Sequence, residues 1–205
     1  MVENVMTFWD SDPWREYEHL CGEEPGTRSR LLASADWQTR VCDLALSEAE
    51  LWQGVRKSYH SLIHAVERQH PIREGRTAVD IGIAAAFHQA EAGRQTRPIE
   101  TWELMAEWIE SGHGLLMMTS GAFVYCTVYQ AWSYYHSSAA LEKNLTHALL
   151  WHAMKALKAR GVRWLELGWQ ARECDSDKDR GISMLKRGLG GYDMPAKEAP
   201  ELCDK

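Results

Sequence analysis

Hydrophobic residues recur at helical spacing in three long stretches of the first half of the chain. In the first stretch, apolar residues at every third or fourth position predict a helix over residues 48 to 69, which Ser47 and Glu50 open with the spacing of a capping box. Residues 77 to 94 are rich in small apolar residues and contain Gly93 at their end, while residues 98 to 114 have Pro98 near the first turn and Gly112 after the expected helix end. They predict a second and a third helix.

The pattern changes after residue 114, where β-branched and aromatic residues become frequent. Residues 115 to 136 predict three consecutive antiparallel strands. A helix over residues 142 to 160, a strand over 162 to 168 and a short helix over 179 to 188 are predicted next. Helices, then a strand meander, then alternating elements predict an α/β fold. We expect a mixed, mostly antiparallel sheet that is flanked by helices on both faces, in a single domain.

The first 43 residues differ from the rest, because they combine tryptophans, acidic residues and Gly-Pro elements without a sustained period. We expect one short helix near residues 13 to 21 and, further on, a strand within residues 39 to 46. We interpret residues 1 to 43 as an N-terminal leader or extension and residues 44 to 205 as the one domain. A chain of 205 residues leaves little room for two full domains.

Composition narrows the class of protein. The net charge of −6 gives no general attraction to nucleic-acid backbones. The five cysteines form no C-x-x-C pair and no zinc spacing, which fits a reducing compartment. We see no signal peptide and no apolar run of about 18 residues, so we expect a cytoplasmic protein without a membrane span. His60 and His64 have metal-site spacing, but an amphipathic helix face is the favoured interpretation and we expect no metal.

Four stretches of the chain resemble a known family in their order and spacing. "WLELGWQ" followed by "DKDRGISMLKRGLGG" resembles the end of the Fem-type (FemABX) aminoacyltransferase domain, where a strand ending in acid-x-Gly precedes an F-K-x-x-F-G-G motif. "LWQGVRKSYHSLIHAVER" resembles the Arg-Lys-Ser-Tyr helix of free-standing Fem-like proteins of the GNAT superfamily. "AGRQTRPIETW" and "LTHALLWHAMKALKARGVRWLELG" fall in the expected order, and the resemblance covers about residues 44 to 192. Two leucines, Leu185 and Leu189, replace the motif phenylalanines.

The resemblance implies a GNAT-like fold and an acyltransferase activity. The first hypothesis is transfer of an acyl group from acyl-CoA to an amine of a cell-envelope or polysaccharide precursor, with a small molecule, a nucleotide-sugar or a peptide as the acceptor. A second hypothesis is an aminoacyl-tRNA-dependent transferase that forms peptide bonds, although classical Fem enzymes carry two such domains. A third is a non-catalytic GNAT-like domain that binds a partner through its tryptophan-rich surface.

Three residues are the predicted catalytic groups: Lys186, Glu166 and His88. Lys186 matches the motif lysine, which implies that it polarises a carbonyl or phosphate during transfer; the alternative is a lysine on a solvated helix face. Glu166 is the one acid of an apolar strand and therefore a candidate base, unless it is an edge carboxylate paired with an arginine. His88 is a further acid-base candidate. The glycines after Lys186 either let the backbone approach substrate or only end a helix.

Binding residues are predicted in two groups. Cations on or beside the first helices are candidates for binding an anionic acceptor, since arginine forks bind carboxylate or phosphate. They are Arg56, Lys57, Arg94 and Arg97. In the GNAT arrangement the donor pyrophosphate meets the amino end of the helix after the third strand of the meander. The resemblance therefore implies donor-binding roles near that helix for Ser137, Ser138 and Asn144, although the glycine-rich form of this loop is lacking.

Overall fold

The computed structural model describes residues 12–22, 38–170 and 177–195. The helices in these ranges are α1 (Asp12–Leu20), α2 (Glu48–Gly54), α3 (Lys57–Gln69), α4 (Ala78–Ala92), α5 (Ile99–Glu110), α6 (Leu145–Ala159) and α7 (Asp177–Gly188). The strands are β1 (Gln38–Asp43), β2 (Arg73–Gly75), β3 (Gly114–Thr119), β4 (Ala122–Tyr129), β5 (Trp132–Ala140), β6 (Trp164–Gln170) and β7 (Tyr192–Pro195).

The strands form one sheet in the order β2-β3-β4-β5-β6-β1-β7. Neighbouring strands run antiparallel, except β5 and β6, which are parallel and are joined through α6. The predicted α/β fold with a mixed, mostly antiparallel sheet is confirmed. β1, which precedes residue 44, lies between β6 and β7, while the division of the chain at that residue stays a prediction.

Successive apolar side chains of the strands point to alternate faces of the sheet, so a hydrophobic core lies on each face. Leu115 and Met117 of β3 pack on one face with buried residues of α2, α3 and α6. Leu116 and Met118 point to the opposite face, where they join the aromatic-rich side chains of α1, α4 and α5. Successive side chains of a strand point to opposite faces, so the helices cover both sides of the sheet, as predicted.

Most predicted elements are present at the predicted places. The meander of β3, β4 and β5 is confirmed, and so is the Ser47–Glu50 capping box at the start of α2. α4 begins after a second capping box at Thr77 and ends at Gly93, whose φ of 68° is left-handed. The strands β2 and β7 are too short to show a period and were not predicted.

The prediction of one helix over residues 48 to 69 is wrong. The helix ends at Gly54, Val55 is extended, and α3 starts again at Lys57. The cause is a long-range contact, because the backbone N–H of Arg56 donates to the carbonyl of Gly188 at 2.8 Å instead of bonding within a helix. The break therefore ties the start of α3 to the end of α7.

The parallel pair β5 and β6 separates after a short ladder. Only three residues of β5 pair with β6, and the last pair is Tyr134 with Glu166. On its other side β5 contains a bulge, since its register with β4 shifts and His136 is the additional residue. The separation leaves room beside the second half of β5.

Candidate active site

A cleft of about 790 Å³ opens where β5 and β6 separate. β5 lines one wall, α4 and the residues after it a second, and α7 a third, while the first turn of α6 reaches the cleft through Thr146. Five of the residues predicted from the sequence share this cleft: His88, Arg97, Ser137, Ser138 and Lys186. Elements far apart in the chain are thus brought to one place.

Lys186 lies on α7 and lines the cleft. Only 8% of its surface is exposed, so the alternative interpretation of a lysine on a solvated helix face is wrong. A lysine that is mostly withdrawn from water can act on developing negative charge more strongly than a surface lysine. Its role in transfer stays a prediction.

Arg97 lies opposite, in the connection between α4 and α5. Its guanidinium covers the Trp102 ring with Cζ 4.8 Å from the ring centroid, and Nη2 donates to Ser137 Oγ at 3.1 Å. Nη2 also donates to His88 Nε2 at 3.5 Å, and Nη1 lies 3.8 Å from Met105 Sδ. We call Arg97, His88, Ser137 and Trp102 the Arg97 corner.

The hydrogen bonds of His88 indicate which ring nitrogen carries the proton of the neutral imidazole. Arginine nitrogens only donate, so Nε2 of His88 accepts, and its proton is on Nδ1, which donates to Thr96 Oγ1 at 3.0 Å. Burial, and then the positive charge of Arg97, lower the pKa of His88 below its usual value. His88 is therefore neutral near pH 7. The acid-base role predicted for it stays a prediction.

Glu166 lies on β6 at the point where the two parallel strands separate. It is 2% exposed, and its Oε1 accepts a hydrogen bond from Thr39 Oγ1 of β1 at 2.7 Å. Its side chain is not among those that line the cleft. The structure thus places this carboxylate at the last pair of the β5–β6 ladder, just before the strands separate. Its role as a base stays a prediction.

The structure places two of the three predicted donor-binding residues in the cleft lining and the third outside it. Ser137 and Ser138 line the cleft, where Ser138 Oγ shares a short hydrogen bond with the Tyr135 hydroxyl. Asn144 is the N-cap of α6 with a left-handed φ of 71°, but its exposed side chain makes no capping bond and does not line the cleft. Thr146, the second residue of α6, lines it instead.

The other predicted cations lie outside the cleft lining. Arg56 and Lys57 are exposed at the start of α3, where the Arg56 guanidinium lies 5.9 Å from the Tyr59 ring centroid. Arg94 is exposed in the connection after α4. Of the four cations, the structure brings only Arg97 to the cleft, and the binding roles of the other three stay predictions.

The glycines that follow Lys186 pack against protein atoms. A Cβ on Gly188 would lie 2.1 Å from the Tyr59 ring, and one on Gly191 would lie 2.2 Å from the Val41 carbonyl oxygen. Gly190 and Gly191 have φ values of 90° and 74°, which favour glycine. These residues end α7 and let the chain turn into β7. We call residues 188 to 191 the glycine turn.

A closed network of polar side chains holds the glycine turn. Arg40 Nε donates to the Gly190 carbonyl at 2.7 Å, and its Nη1 donates to Asp193 Oδ1 at 3.0 Å. Gln170 Nε2 donates to the same Asp193 oxygen at 2.9 Å, while Gln170 Oε1 accepts from Arg187 Nε at 2.8 Å. The last turn of α7, which carries Lys186, is thereby fixed to β1, β6 and β7.

Sequence reasoning missed several residues of the cleft. Tyr134, Tyr135 and His136 line it from β5, and Leu185 lines it from α7. The only signal was the polar and aromatic composition of the third predicted strand. The bulge that adds His136 depends on pairing with β4, which a single sequence does not display.

Comparisons with known proteins support the fold. No protein-family profile matches the chain and no curated protein sequence is similar to it. Solved structures do match: FemX is similar at a TM-score of 0.66 with 13% identity, covering 83% of this chain and 67% of FemX. The two share a fold. This agrees with the predicted α/β fold with a mixed sheet that is flanked by helices.

Two further structures are similar at lower scores. A conserved protein of unknown function from Bacteroides thetaiotaomicron matches at a TM-score of 0.52 with 8% identity, covering 85% of this chain and 66% of that protein. L-PGS from Bacillus licheniformis matches at 0.51 with 9% identity, covering 68% of this chain and 47% of L-PGS. The chain thus spans about half the length of L-PGS.

Neither a membrane-spanning helix nor a metal-binding cluster is present among the described residues. Within residues 12–22, 38–170 and 177–195, no helix is both long and apolar enough to cross a membrane. In the same ranges, no group of three or more histidine, cysteine, aspartate or glutamate side chains is arranged to hold a metal ion.

Proposed function

We propose that this chain is a transferase that moves an acyl group from acyl-CoA to an amine. The observation that carries the proposal is the cleft at the separation of β5 and β6, where a mostly buried lysine lies on a fold shared with FemX. Acyl transfer to an amine passes through a tetrahedral oxyanion. A cation fixed beside that oxygen in a partly dry site stabilises it.

In this proposal Lys186 supplies that cation. Its position is fixed because the last turn of α7 is held by the closed network around the glycine turn. A fixed charge costs no reorganisation when the oxyanion forms, and removing one such donor costs on the order of 100-fold in rate. The carbonyl of the acyl donor is therefore expected close to the Lys186 ammonium.

The donor is proposed to lie along β5. Beyond Tyr134, β5 has no ladder partner on the β6 side among the described residues, so its backbone can pair with an extended substrate. The first turn of α6 presents backbone N–H groups near Thr146, and such groups favour phosphate oxygens. Ser137 and Ser138 belong to this part of β5 and line the cleft.

The attacking amine must lose a proton before or during transfer. Glu166 and His88 remain the proposed acid-base groups, Glu166 because it is a buried carboxylate at the last pair of the β5–β6 ladder and His88 because it lines the cleft. With its proton on Nδ1, His88 can accept a second proton only through Nε2, so it would first have to give up the hydrogen bond from Arg97.

The proposed acceptor is the amine of a cell-envelope or polysaccharide precursor in the cytoplasm, by analogy with the Fem-like family that the sequence resembles. Such an analogy concerns the fold more than the substrate. A second candidate function is aminoacyl transfer from tRNA, which the similarity to FemX favours. The net charge of −6 weighs against it, because a tRNA backbone is strongly negative.

Donor binding tests the proposal and separates the two candidates. The melting temperature of the chain is measured with acetyl-CoA, longer acyl-CoAs and aminoacyl-tRNA, with free adenosine as the control. A donor at a hundredfold excess over its Kd adds about 2.7 kcal/mol of stability. Acyl-CoA is expected to raise the melting temperature; a rise with aminoacyl-tRNA alone would favour the second candidate, and no rise with either would contradict both.

A further inference from the structure

The Arg97 corner faces the same cleft as Lys186, but the proposed transfer step does not use its cation. We propose that the Arg97 corner binds a carboxylate of the acceptor, so that the acceptor is an amine that also carries a carboxylate, as amino acids and peptides do. That the bound carboxylate belongs to an acceptor rests on the proposed function. Binding of a carboxylate at the Arg97 corner does not depend on it. The inference depends on how Arg97 is held, on its charge and on its neighbours.

Arg97 is held in one orientation before any ligand arrives. The guanidinium covers the Trp102 ring at 4.8 Å, and its Nη2 donates to Ser137 Oγ at 3.1 Å. A planar fork that is fixed in this way can donate two parallel hydrogen bonds to a planar carboxylate. Because its rotamer freedom is already restricted, little conformational entropy is lost on binding.

The charge of Arg97 has no counter-ion within the described ranges of the chain. Its polar contacts there are to a sulfur, a neutral imidazole and a hydroxyl. By contrast, Arg40, Arg73 and Arg160 each have a carboxylate within ion-pair distance. A half-buried cation without a counter-ion is costly for folding, which is typical of a group that is kept to meet an anionic ligand.

Ser137 supplies a second donor beside the guanidinium. Its oxygen accepts from Arg97, so its own hydroxyl proton is directed elsewhere, and no acceptor for that proton is found among the described residues. The side chain is buried and lines the cleft. An anion bound at Arg97 would therefore receive hydrogen bonds from both residues.

The local charges favour a carboxylate over a phosphate. His88 is neutral, so the corner carries a single positive charge. Glu91, one turn along α4 from His88, lines the same cleft and places a negative charge in it. At the Arg97 corner a phosphate dianion would meet only one positive charge, whereas an amine that bears a carboxylate offers one charge of each sign to Arg97 and Glu91.

The test measures binding to the full chain in the absence of any acyl donor. Sodium acetate, acetamide and inorganic phosphate are titrated at constant ionic strength while NMR follows the Arg97 Nε–H and Trp102 indole N–H signals. We expect acetate to shift both signals saturably and to bind more tightly than phosphate, and acetamide to shift neither. Arg97→Gln should weaken acetate binding by about 10-fold or more, since hydrogen bonds to charged groups are the strong ones.

Matched variants make the result specific. Arg97→Lys keeps the charge but loses the fork, so acetate should bind with intermediate affinity. Arg68→Gln removes an exposed cation of α3 outside the cleft lining and should bind acetate as the wild type does. If circular dichroism shows that Arg97→Gln is unfolded, Ser137→Ala provides the same test, with a several-fold loss expected.

Three results would overturn the inference: equal shifts with acetate and acetamide, tighter binding of phosphate than of acetate as read from the Arg97 and Trp102 signals, or unchanged acetate binding in folded Arg97→Gln. Its failure can be told apart from failure of the proposed function. Acetate binding without any acyl transfer would remove the proposed function and keep the subsite. Transfer to glycinamide as fast as to glycine, without acetate binding, would keep the function and remove the subsite.

Discussion

Two arginine-containing regions of the molecule, the glycine turn and the Arg97 corner, differ in how the charges of their arginines are satisfied. Around the glycine turn, Arg40 and Arg187 donate to Asp193, Gln170 and a backbone carbonyl, and the network closes on itself. In the Arg97 corner, by contrast, the described contacts of the cation include no carboxylate. The difference indicates that the first region maintains the fold, and it is consistent with the carboxylate subsite proposed for the second.

A substitution in the glycine turn should give the largest loss in the free energy of unfolding. Gly191→Ala places a methyl group 2.2 Å from the Val41 carbonyl oxygen and forces a left-handed φ of 74° on alanine. We expect a loss of about 3 kcal/mol or more in the free energy of unfolding, measured by urea denaturation.

Gly82→Ala in α4 is the matched control, because the added methyl group has no atom within 4 Å apart from its chain neighbours and the backbone of its own helix. Alanine in a helix is favoured over glycine, so this variant should gain up to about 1 kcal/mol. If Gly191→Ala unfolded at the same urea concentration as Gly82→Ala, the close packing of the glycine turn would be refuted.

Removing a charge should lower the free energy of unfolding around the glycine turn but not in the Arg97 corner. Asp193→Asn weakens the bonds from Arg40 and Gln170, and we expect it to cost about 1 kcal/mol, since the pair is partly exposed. Arg97→Gln removes a half-buried cation that has no counter-ion among the described residues, so the free energy of unfolding should stay unchanged or rise. Urea titrations of both variants give the comparison, and the reverse order would contradict it.

The smallest expected effect is the dependence of stability on pH. Burial lowers the pKa of His88, His147 and His152 below the usual histidine value. The unfolded chain therefore binds more protons than the folded chain as the pH falls below about 6.5. Stability should be fully present above that pH and should decrease on acidification.

Melting temperatures at pH 7.5, 6.5 and 5.5 measure this dependence. His88→Gln removes one of the three groups and should make the decrease shallower between pH 6.5 and 5.5. A melting temperature that rises on acidification would show that the histidines gain protons on folding, which is the opposite of the expected sign.

Local signals in the sequence were enough to predict much of the fold. The Ser47–Glu50 box, the left-handed Gly93 at the end of α4 and the β-rich run of the meander are each decided within a few residues. Contacts between distant residues decided what was missed. The break at Val55 depends on a hydrogen bond from Arg56 to Gly188, and β7 is recognisable only through its pairing with β1.

The site shows the same division. The motif identified Lys186 as a candidate catalytic residue. Charge alone identified Arg97 as one of four candidate binding residues, and only the tertiary structure shows that Arg97 is the one of the four that lines the cleft. The hydrogen bond between Arg97 and Ser137 joins residues that the sequence assigned to different substrates. Spacing within one helix or strand carries no information on such a contact, because 40 residues separate the two partners.

The central claim is that Lys186 supports acyl transfer in this cleft, and the most direct measurement is the turnover of Lys186→Met with an acyl-CoA donor and glycine as acceptor. Methionine keeps an unbranched apolar stem and removes the charge. The neighbouring Arg187 is unsuitable as a control because it donates to Gln170, so Arg68→Ala serves instead. We expect kcat to fall on the order of 100-fold in Lys186→Met and to stay at the wild-type value in Arg68→Ala, at a temperature where both are folded. Wild-type turnover in Lys186→Met would contradict this claim.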